Sequence, residues 1–309
     1  MTKFILKRLL IIIPVLWIVA TLTFFVMRMT PGGPFDTDRK VPEEILKNLE
    51  AKYHLDEPLA AQYLRYMGML LQGDLGPSFR YPSRTVNEII AETFPVSALI
   101  GLLGLIYALI LGVGAGIFAA SKPNTKRDFL PMTFAMLGIS LPSFVIGPLF
   151  MLVFAINLEW FNVAGWTEAK DAVLPALTLG TMYAAYFARL SRAGILDMVH
   201  QDFIRTAKAK GLPGWLIMLR HTLKGGLLST VSFLGPAVAA MLTGSLVVET
   251  IFSVPGLGRF FVQSALNRDY TLVLGCVLFL AVFIVLMNLI VDIAYAFMNP
   301  KVSYDSNGT

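Results

Sequence analysis

The sequence predicts an all-α membrane protein with six transmembrane helices and a helical extracytoplasmic insertion after the first of them. Three observations lead to this fold class. Hydrophobic residues make up 56% of the 309 residues and charged residues only 15%, which is far from the composition of a soluble domain. Uncharged apolar runs recur at lengths near the ~20 residues that a helix needs to cross a bilayer. Lysine and arginine are concentrated in alternate loops between these runs.

The predicted spans follow from the uncharged runs. They cover residues 9–27, 94–120, 129–158, 172–188, 225–248 and 270–291. The first run follows Lys3, Lys7 and Arg8 as in a signal peptide, but it is longer than a usual signal core and no small-x-small cleavage pattern follows it. We therefore expect an uncleaved first span. Pro142 and Pro148 are expected to interrupt the third span.

The distribution of basic residues predicts the orientation. The N-terminal segment and the 121–128 and 189–224 loops are basic, whereas the 159–171 loop contains only Lys170 and the 249–269 loop only Arg259 and Arg268. Because lysine and arginine in short loops favour the cytoplasmic side, both termini and the basic loops are expected to be cytoplasmic. The long 29–93 loop carries less weight, since loops of that size are translocated largely regardless of charge.

The same pattern divides the chain into three parts. Residues 1–28 are the N-terminal segment and first span, 29–93 the extracytoplasmic loop, and 94–309 a core with five spans. Within the loop, one helix is expected from Pro42 to about Lys52 and a second from Pro58 to Gly73, with Tyr63, Met67, Leu70 and Leu71 as an apolar stripe. Two interpretations of this layer remain open: a cap over a permeation path, and a folded spacer without ligand contact.

The most basic segment between two apolar runs is residues 200–224, which we call the basic loop. Arg205, Lys208 and Lys210 precede the turn sequence GLPG at 211–214, and Arg220 and Lys224 follow it. Glycine and proline end one helix there, and apolar periodicity resumes at Trp215. The sequence predicts a short basic helix, a turn and a second helix that re-enters the membrane. A surface that docks on a soluble protein fits this pattern, and so does an ordinary basic loop that only sets topology.

A second signal is the stretch VVETIFSVPGLGRFFVQSALNRDY at 247–270. Glu249 lies at the end of the fifth span, and Pro255, Gly256 and Gly258 favour a tight turn. We expect a re-entrant loop at the outer mouth. Its main expected role is as part of a gate, and contact with the substrate is the secondary one. A simple interfacial turn is the alternative.

Several function classes find no support in the sequence. The spans contain no clear relay of buried titratable groups of the kind that an ion-driven transporter needs, and the chain has no GxxxxGK[ST] loop for ATP hydrolysis. His54, His200 and His221 show no metal-ligand spacing, the single Cys276 excludes an internal disulfide, and no basic stripe with interleaved aromatic residues suggests nucleic acid. We expect a protein without cofactor or catalysis, with energy supplied by a partner.

Four short sequences stand out: TAKAKGLP (206–213), RHTLK (220–224), GDLGPS (73–78) and PGLG (255–258). They resemble the permeases of bacterial ABC importers, in the oligopeptide branch of that family. The resemblance covers nearly the whole chain and implies the type I importer permease fold of a B-type subunit. The family's Glu-Ala-Ala pattern falls on Arg205, Thr206 and Ala207, of which only Ala207 agrees, and its glycine falls on Gly211. The residues thereby implied to contact the ATPase are Arg205, Thr206, Ala207, Lys208, Ala209, Lys210, Gly211, Leu212 and Pro213.

The resemblance also implies partners. They are a homologous C-type permease subunit, two cytoplasmic ATP-binding subunits, an extracytoplasmic peptide-binding protein and the peptide itself. The location implied is a bacterial inner membrane, whose lipid surrounds the spans. Sister permeases for dipeptides, nickel or glutathione share these loop patterns and remain alternatives. A secondary, ion-driven transporter and a non-transporting assembly factor are alternatives of a different class.

Overall fold

The computed structural model describes residues 2–29, 33–35, 42–81 and 83–298, and these residues are almost entirely helical. The α-helices are α1 (Thr2–Met29), α2 (Glu43–Lys52), α3 (Leu59–Leu71), α4 (Val86–Ser121), α5 (Lys126–Ser140), α6 (Ser143–Phe150), α7 (Val173–Val199), α8 (Asp202–Ala209), α9 (Gly214–Ile217), α10 (Leu223–Gly226), α11 (Leu228–Leu242), α12 (Leu246–Ile251), α13 (Leu257–Leu266) and α14 (Tyr270–Met298). Two π-helical segments, Met151–Asn157 and Met218–Thr222, and a 3-10 turn, Ala169–Ala172, continue them.

Within the residues that the structure describes, four stretches are long and apolar enough to cross a membrane: Leu10–Met29, Val86–Ser121, Leu228–Ile251 and Tyr270–Val291. A fifth is the pair Lys126–Ser140 and Ser143–Asn157, if this bent pair counts as one span. The remaining predicted span corresponds to α7, which has 27 residues but includes Arg189 and Arg192 and does not reach the same apolarity. The all-α, polytopic class is confirmed, while the number of six spans is not.

The interruption expected at Pro142 is confirmed, because α5 and the segment after it are bent by 109°. Leu141, the residue before the proline, is extended with φ −86° and ψ 120°, as the proline ring requires of its neighbour. The second expected interruption is wrong: Pro148 lies inside α6, and the helix continues through it into the π-helical segment.

The centre of the core is the contact between α4 and α7, where glycines let the two backbones approach. A Cβ added at Gly104 would lie 2.9 Å from the carbonyl oxygen of Ala176, and one at Gly116 would lie 2.7 Å from that of Ala188. A Cβ at Gly114, on the outer side of α4, would meet nothing within 4 Å. Gly112 and Gly116 form a small-xxx-small pair on the side of α4 that faces α7, and this pair is therefore a packing feature.

The layer between α1 and α4 packs directly on the membrane helices. Tyr66 of α3 is buried against Phe24 of α1 and Leu274 of α14. Most of the predicted apolar stripe joins this cluster, namely Tyr63, Met67 and Leu70. Leu71 does not, since its side chain is 88% exposed. The two helices predicted for this layer are confirmed by α2 and α3, and α3 lies along the seam between α1 and α14.

Candidate functional site

The basic loop folds into a compact knob formed by α8, α9 and the turn between them. Helix α8 is amphipathic, with Ile204 and Ala207 buried against Ile217 of α9. Half-buried Leu212 packs on the same cluster. The knob therefore has a small apolar core of its own, which fixes the direction in which its polar residues point.

A glycine ends α8. Gly211 has φ +75°, a conformation that side chains with a Cβ rarely adopt. Its amide donates to the carbonyl of Lys208 at 3.0 Å, and the amide of Leu212 donates to the carbonyl of Ala207 at 3.3 Å. This pair of bonds, with the apolar contact of Leu212, is the Schellman ending of a helix. The glycine at this position is thus explained by backbone geometry.

The outer face of the knob combines positive charge with apolar surface. The predicted contact residues that are exposed are Arg205, Thr206, Lys208, Ala209, Lys210, Gly211 and Pro213. The other two, Ala207 and Leu212, face the inside of the knob. Phe203 and Trp215 of the knob are 46% and 66% exposed, and Leu219, just after α9, is 60% exposed. Exposed aromatic and apolar side chains beside arginine and lysine are typical of a protein-binding surface.

The knob is rigidly joined to two long helices. A Cβ at Gly226 of α10 would lie 2.9 Å from the Cα of Ile195 in α7, so the helix that leaves the knob crosses α7 at backbone distance. One helical turn further, the hydroxyl groups of Ser191 in α7 and Thr230 in α11 are hydrogen-bonded at 3.2 Å. The segment that leaves the knob is therefore in direct contact with α7, and α7 is bonded to α11.

Glu249, predicted to lie at the end of the fifth span, is only 1% exposed. Its carboxylate accepts hydrogen bonds from the Ser97 hydroxyl at 2.7 Å and from the Arg259 amide at 3.0 Å. Ser97 in turn accepts from the Leu257 amide at 2.8 Å. The carboxylate thus ties α4, α12 and the start of α13 into one cluster.

Three glycines surround this carboxylate. A Cβ at Gly256 would lie 2.5 Å from Oε2 of Glu249 and 2.6 Å from Oγ of Ser97, and one at Gly258 would lie 3.1 Å from the same Oε2. Gly244 has φ +90°, and a Cβ there would lie 2.9 Å from Oγ of Ser97. We call the segment of α12, α13 and the turn between them the hairpin. Of the four residues predicted for the gate, Glu249, Gly256 and Gly258 are buried and Pro255 is exposed. The structure brings Glu249, Gly256 and Gly258 together as the buried interior of a hairpin, which favours the gate interpretation over substrate contact.

Other buried acids were not singled out by sequence reasoning. Asp128, at the start of α5, is 2% exposed and bonds Arg192 of α7 through two contacts of 2.5 and 2.6 Å. Asp269, before α14, accepts from the Ser78 hydroxyl and from the Phe79 amide at 3.1 Å. A single acid beside an apolar run is the only signal that the sequence offers for either residue.

Asp171, in the loop before α7, organises that loop. Its carboxylate accepts from the amides of Glu168 at 2.9 Å and Thr167 at 2.7 Å and from the Asn162 side chain at 2.7 Å. These hydrogen bonds, that of the Glu168 amide first, lower the pKa of Asp171 from its usual 3.8 to about 2. The loop also bonds the hairpin, because the Gly165 amide donates to the carbonyl of Phe252 at 2.9 Å.

Family comparison decides what kind of protein carries this knob and hairpin. Residues 112–304, more than half of the chain, match the family described as binding-protein-dependent transport system inner membrane component. Residues 1–100 match the N-terminal model of the same transport systems. The chain belongs to the binding-protein-dependent transport permease family. Both the knob and the hairpin lie within the larger matched region.

Curated relatives of this permease extend over its whole length. The oligopeptide transport system permease protein OppB of Salmonella typhimurium is 48% identical over 306 residues, covering 98% of this chain and 100% of the relative. The dipeptide permease protein DppB of Bacillus subtilis is 39% identical over 308 residues, with 100% of both chains covered. The glutathione permease protein GsiC of Salmonella paratyphi A is 37% identical over 306 residues, with 98% and 100% covered.

Solved structures support the fold of the permease core. An inward-facing structure of the MetNI methionine ABC transporter matches with a TM-score of 0.52 at 16% identity, covering 69% of this chain and 96% of that chain. An amino acid ABC transporter crystallised with histidines matches with a TM-score of 0.51 at 15% identity, covering 70% and 95%. The predicted ABC importer permease fold is therefore confirmed, and this multi-pass permease shares it with importers of other small solutes.

Proposed function

We propose that this permease is the B-type membrane subunit of an ATP-driven ABC importer that moves oligopeptides from an extracytoplasmic binding protein into the cytoplasm. The observation that carries the proposal is its 48% identity to an oligopeptide permease protein over essentially the full length of both chains. The subunit performs no covalent chemistry, and it forms part of the wall of the translocation path.

In this proposal the basic knob is the coupling element. Its exposed Lys208, Lys210 and Trp215 dock on an ATP-binding subunit, and closure of the ATPase pair moves the knob with α7 and α11. The hairpin around Glu249 is the gate at the opposite end of the core. Because Ser97 bonds Glu249, tilting of α4 relative to α12 would change the position of this hairpin directly.

The orientation and the partners follow from the same proposal. The permease lies in the bacterial inner membrane with both termini and the basic loop on the cytoplasmic side, as the lysine and arginine distribution favours. It pairs with a homologous C-type permease subunit, two cytoplasmic ATP-binding subunits and an extracytoplasmic peptide-binding protein. The layer with α2 and α3 lies on the extracytoplasmic side.

A dipeptide or glutathione permease is the second candidate, because proteins named for these substrates are 39% and 37% identical over the full length. All of these substrates are peptides, so the candidates differ in length preference and share a mechanism.

Affinity purification in mild detergent, followed by reconstitution and uptake assays, tests the proposal. We expect two ATP-binding subunits and a second permease to copurify, and uptake of a labelled oligopeptide to require ATP and the binding protein. Competition by unlabelled dipeptide or glutathione in place of longer peptides would favour the second candidate. Uptake driven by a proton gradient without ATP-binding subunits would contradict both.

A further inference from the structure

A large open cavity lies between α5 and α7, towards the end of α7 that leads to the knob; we call it the α5–α7 cavity. It has a volume of about 620 Å³, which is in the range of pockets that bind small ligands. Met132 and Met136 of α5 and Tyr186 and Arg189 of α7 are among the residues that line it. Neither the knob nor the hairpin contributes a residue to this cavity.

The charges in the α5–α7 cavity do not cancel. Asp128 and Arg192 line it and bond each other through two contacts of 2.5 and 2.6 Å, and Asp128 also accepts from the Asn124 amide at 2.9 Å. Asp128 is the one acid among the described residues that line the cavity. Arg189 is exposed and forms no hydrogen bond or ion pair with a described residue. Its guanidinium therefore leaves a positive charge that favours an anionic group.

Most of the remaining wall of the cavity is apolar and adaptable. Phe129, Met132 and Met136 of α5 and Leu190 of α7 contribute to it. Methionine side chains are flexible and polarisable, so they fit groups of different shapes. One fixed cation beside an adaptable apolar wall suits a ligand whose anionic group is constant and whose side chain varies. The C-terminal residue of a peptide has both properties.

The two exposed sides of α5 differ, and the difference argues against lipid in the cavity. Phe129 and Met136, which line the cavity, share one face of α5 with Thr133 and Ser140, at spacings of three and four residues. The neighbouring exposed row carries only hydrocarbon, in Leu130, Phe134 and Leu137. Leucine and phenylalanine suit contact with lipid, whereas hydroxyl groups and an arginine in a membrane protein favour a water-filled path. The cavity side of α5 is therefore the side of the path.

We propose that the α5–α7 cavity binds the C-terminal residue of the transported peptide and that Arg189 receives its carboxylate. This inference rests on the proposed function and adds a peptide subsite to it. A guanidinium can donate two parallel hydrogen bonds to one carboxylate, while Met132 and Met136 contact a side chain of any kind. Tyr186, three positions before Arg189 on the same face of α7, offers a hydroxyl group to the peptide backbone. In the proposed orientation the subsite lies near the cytoplasmic end of the path.

Uptake of paired peptides by the reconstituted transporter tests the role of Arg189. The pair is one oligopeptide with a free C-terminal carboxylate and the same peptide as its C-terminal amide, both first shown to bind the extracytoplasmic binding protein. We expect Arg189→Gln to lower the ratio of uptake rates, free acid to amide, by about tenfold, since a charged hydrogen-bonded pair is lost. Any preference of the binding protein is the same for both permeases, so the change in ratio reports on Arg189.

Lys126→Gln is the matched control for this comparison. Lys126 is exposed at the start of α5 and does not line the cavity, so its removal takes away a positive charge at the same end of α5. We expect the ratio of uptake rates to stay as in the unaltered transporter. A ratio that falls equally in both variants would overturn the proposal, because the effect would then be one of general charge.

Thiol labelling of the transporter in nanodiscs tests the site without relying on transport. Met136→Cys lies on the cavity side of α5, and Leu137→Cys is the matched position on the hydrocarbon side. We expect a hydrophilic maleimide to label the cysteine at 136 and not the one at 137. The free-acid peptide should protect position 136, and its amide should need about tenfold more for equal protection.

The outcomes separate the peptide from other occupants of the cavity. Equal reactivity of both cysteines only with a membrane-soluble maleimide would indicate lipid, and a cross-link from position 136 to the second permease would indicate a subunit contact; either would overturn the proposal. If Arg189→Gln does not assemble, protection by acid and amide still decides. Normal peptide uptake with an unchanged ratio in Arg189→Gln would contradict this inference alone, whereas absence of ATP-dependent peptide uptake in the unaltered transporter would contradict the proposed function.

Discussion

The carboxylate of Glu249 fixes the relative positions of three segments of the chain. It accepts from Ser97 in α4 and from backbone amides of the hairpin, and glycines at 244, 256 and 258 leave room for no other group. A buried carboxylate that is fully hydrogen-bonded holds its neighbours strongly, since loss of one acceptor leaves buried donors unpaired.

We predict that Glu249→Gln destabilises the permease by about 1–3 kcal/mol, because the amide offers one oxygen acceptor where the carboxylate offers two. With that oxygen on the Arg259 amide, the buried Ser97 hydroxyl loses its acceptor. Thermal melting of the purified complex should shift downward, and uptake should fall with it. Arg259→Ala is the control, since Arg259 contributes its backbone amide to this bond and the variant keeps it. Equal melting temperatures and uptake for Glu249→Gln and the unaltered complex would remove the carboxylate from the gate.

The hairpin shows how far residue-level prediction from the sequence extends. Glu249, Gly256 and Gly258 were identified because turn residues and an acid are conspicuous next to an apolar run. Their partner Ser97 was not, since a lone serine in a hydrophobic helix has no distinguishing pattern and lies 152 positions away. Burial of Glu249 was missed for the same reason: only the folded chain shows that donors surround it.

Among the helices, the contact of α4 with α7 depends on glycines that are spaced four residues apart. Gly112 and Gly116 lie against α7, whereas Gly114 faces outward. A Cβ at Gly112 would lie 2.8 Å from Cβ of Phe187, a side chain that is itself fully buried. The two helices can approach this closely only while the contact surface stays free of side chains.

We therefore predict opposite outcomes for two alanine substitutions in the same helix. Gly112→Ala should cost about 1–3 kcal/mol through overpacking and should lower the yield of assembled complex. Gly114→Ala should be neutral or slightly stabilising, because alanine is the better helix former. Melting curves of both variants check this, and equal behaviour of the two would contradict the helix contact described for α4 and α7.

A second element-scale prediction concerns the turn of the basic knob. Gly211→Val should weaken uptake and peptide-stimulated ATP hydrolysis, because a β-branched residue at φ +75° is strongly disfavoured and the Schellman turn would open. Gly211→Asn should be much milder, since asparagine tolerates this conformation. No atom lies within 4 Å of an added Cβ, so side-chain size is not the cause. Normal coupling in Gly211→Val would contradict the role of the turn.

Prediction from the sequence was more complete for whole helices than for the contacts of single residues. Uncharged apolar runs located α1, α4 and α14, and Pro142 marked the bend after α5. No local sequence pattern marks the two π-helical segments or the break between α11 and α12 at Gly244. These irregularities depend on packing against other helices, which local propensity does not determine.

Across the whole molecule, the basic knob and the buried hairpin lie at the two ends of the helical core. The knob is joined to α7 and α11 through Gly226 and through the bond between Ser191 and Thr230. The hairpin is joined to α4 through Ser97, and α4 packs along α7. A contiguous set of packed helices thus connects the surface proposed for ATPase docking with the proposed gate, which is what alternating access requires of a permease subunit.

The most direct test of this account is a site-specific cross-link from the knob in the assembled transporter. Lys208→Cys places a single reactive thiol on the exposed face, because the native Cys276 is buried. We predict that it cross-links to an ATP-binding subunit, while Leu71→Cys, in the layer that we propose to be extracytoplasmic, does not. Labelling of the cysteine at position 208 by a membrane-impermeant reagent from outside, or a complex in which it reaches no ATP-binding subunit, would contradict the account.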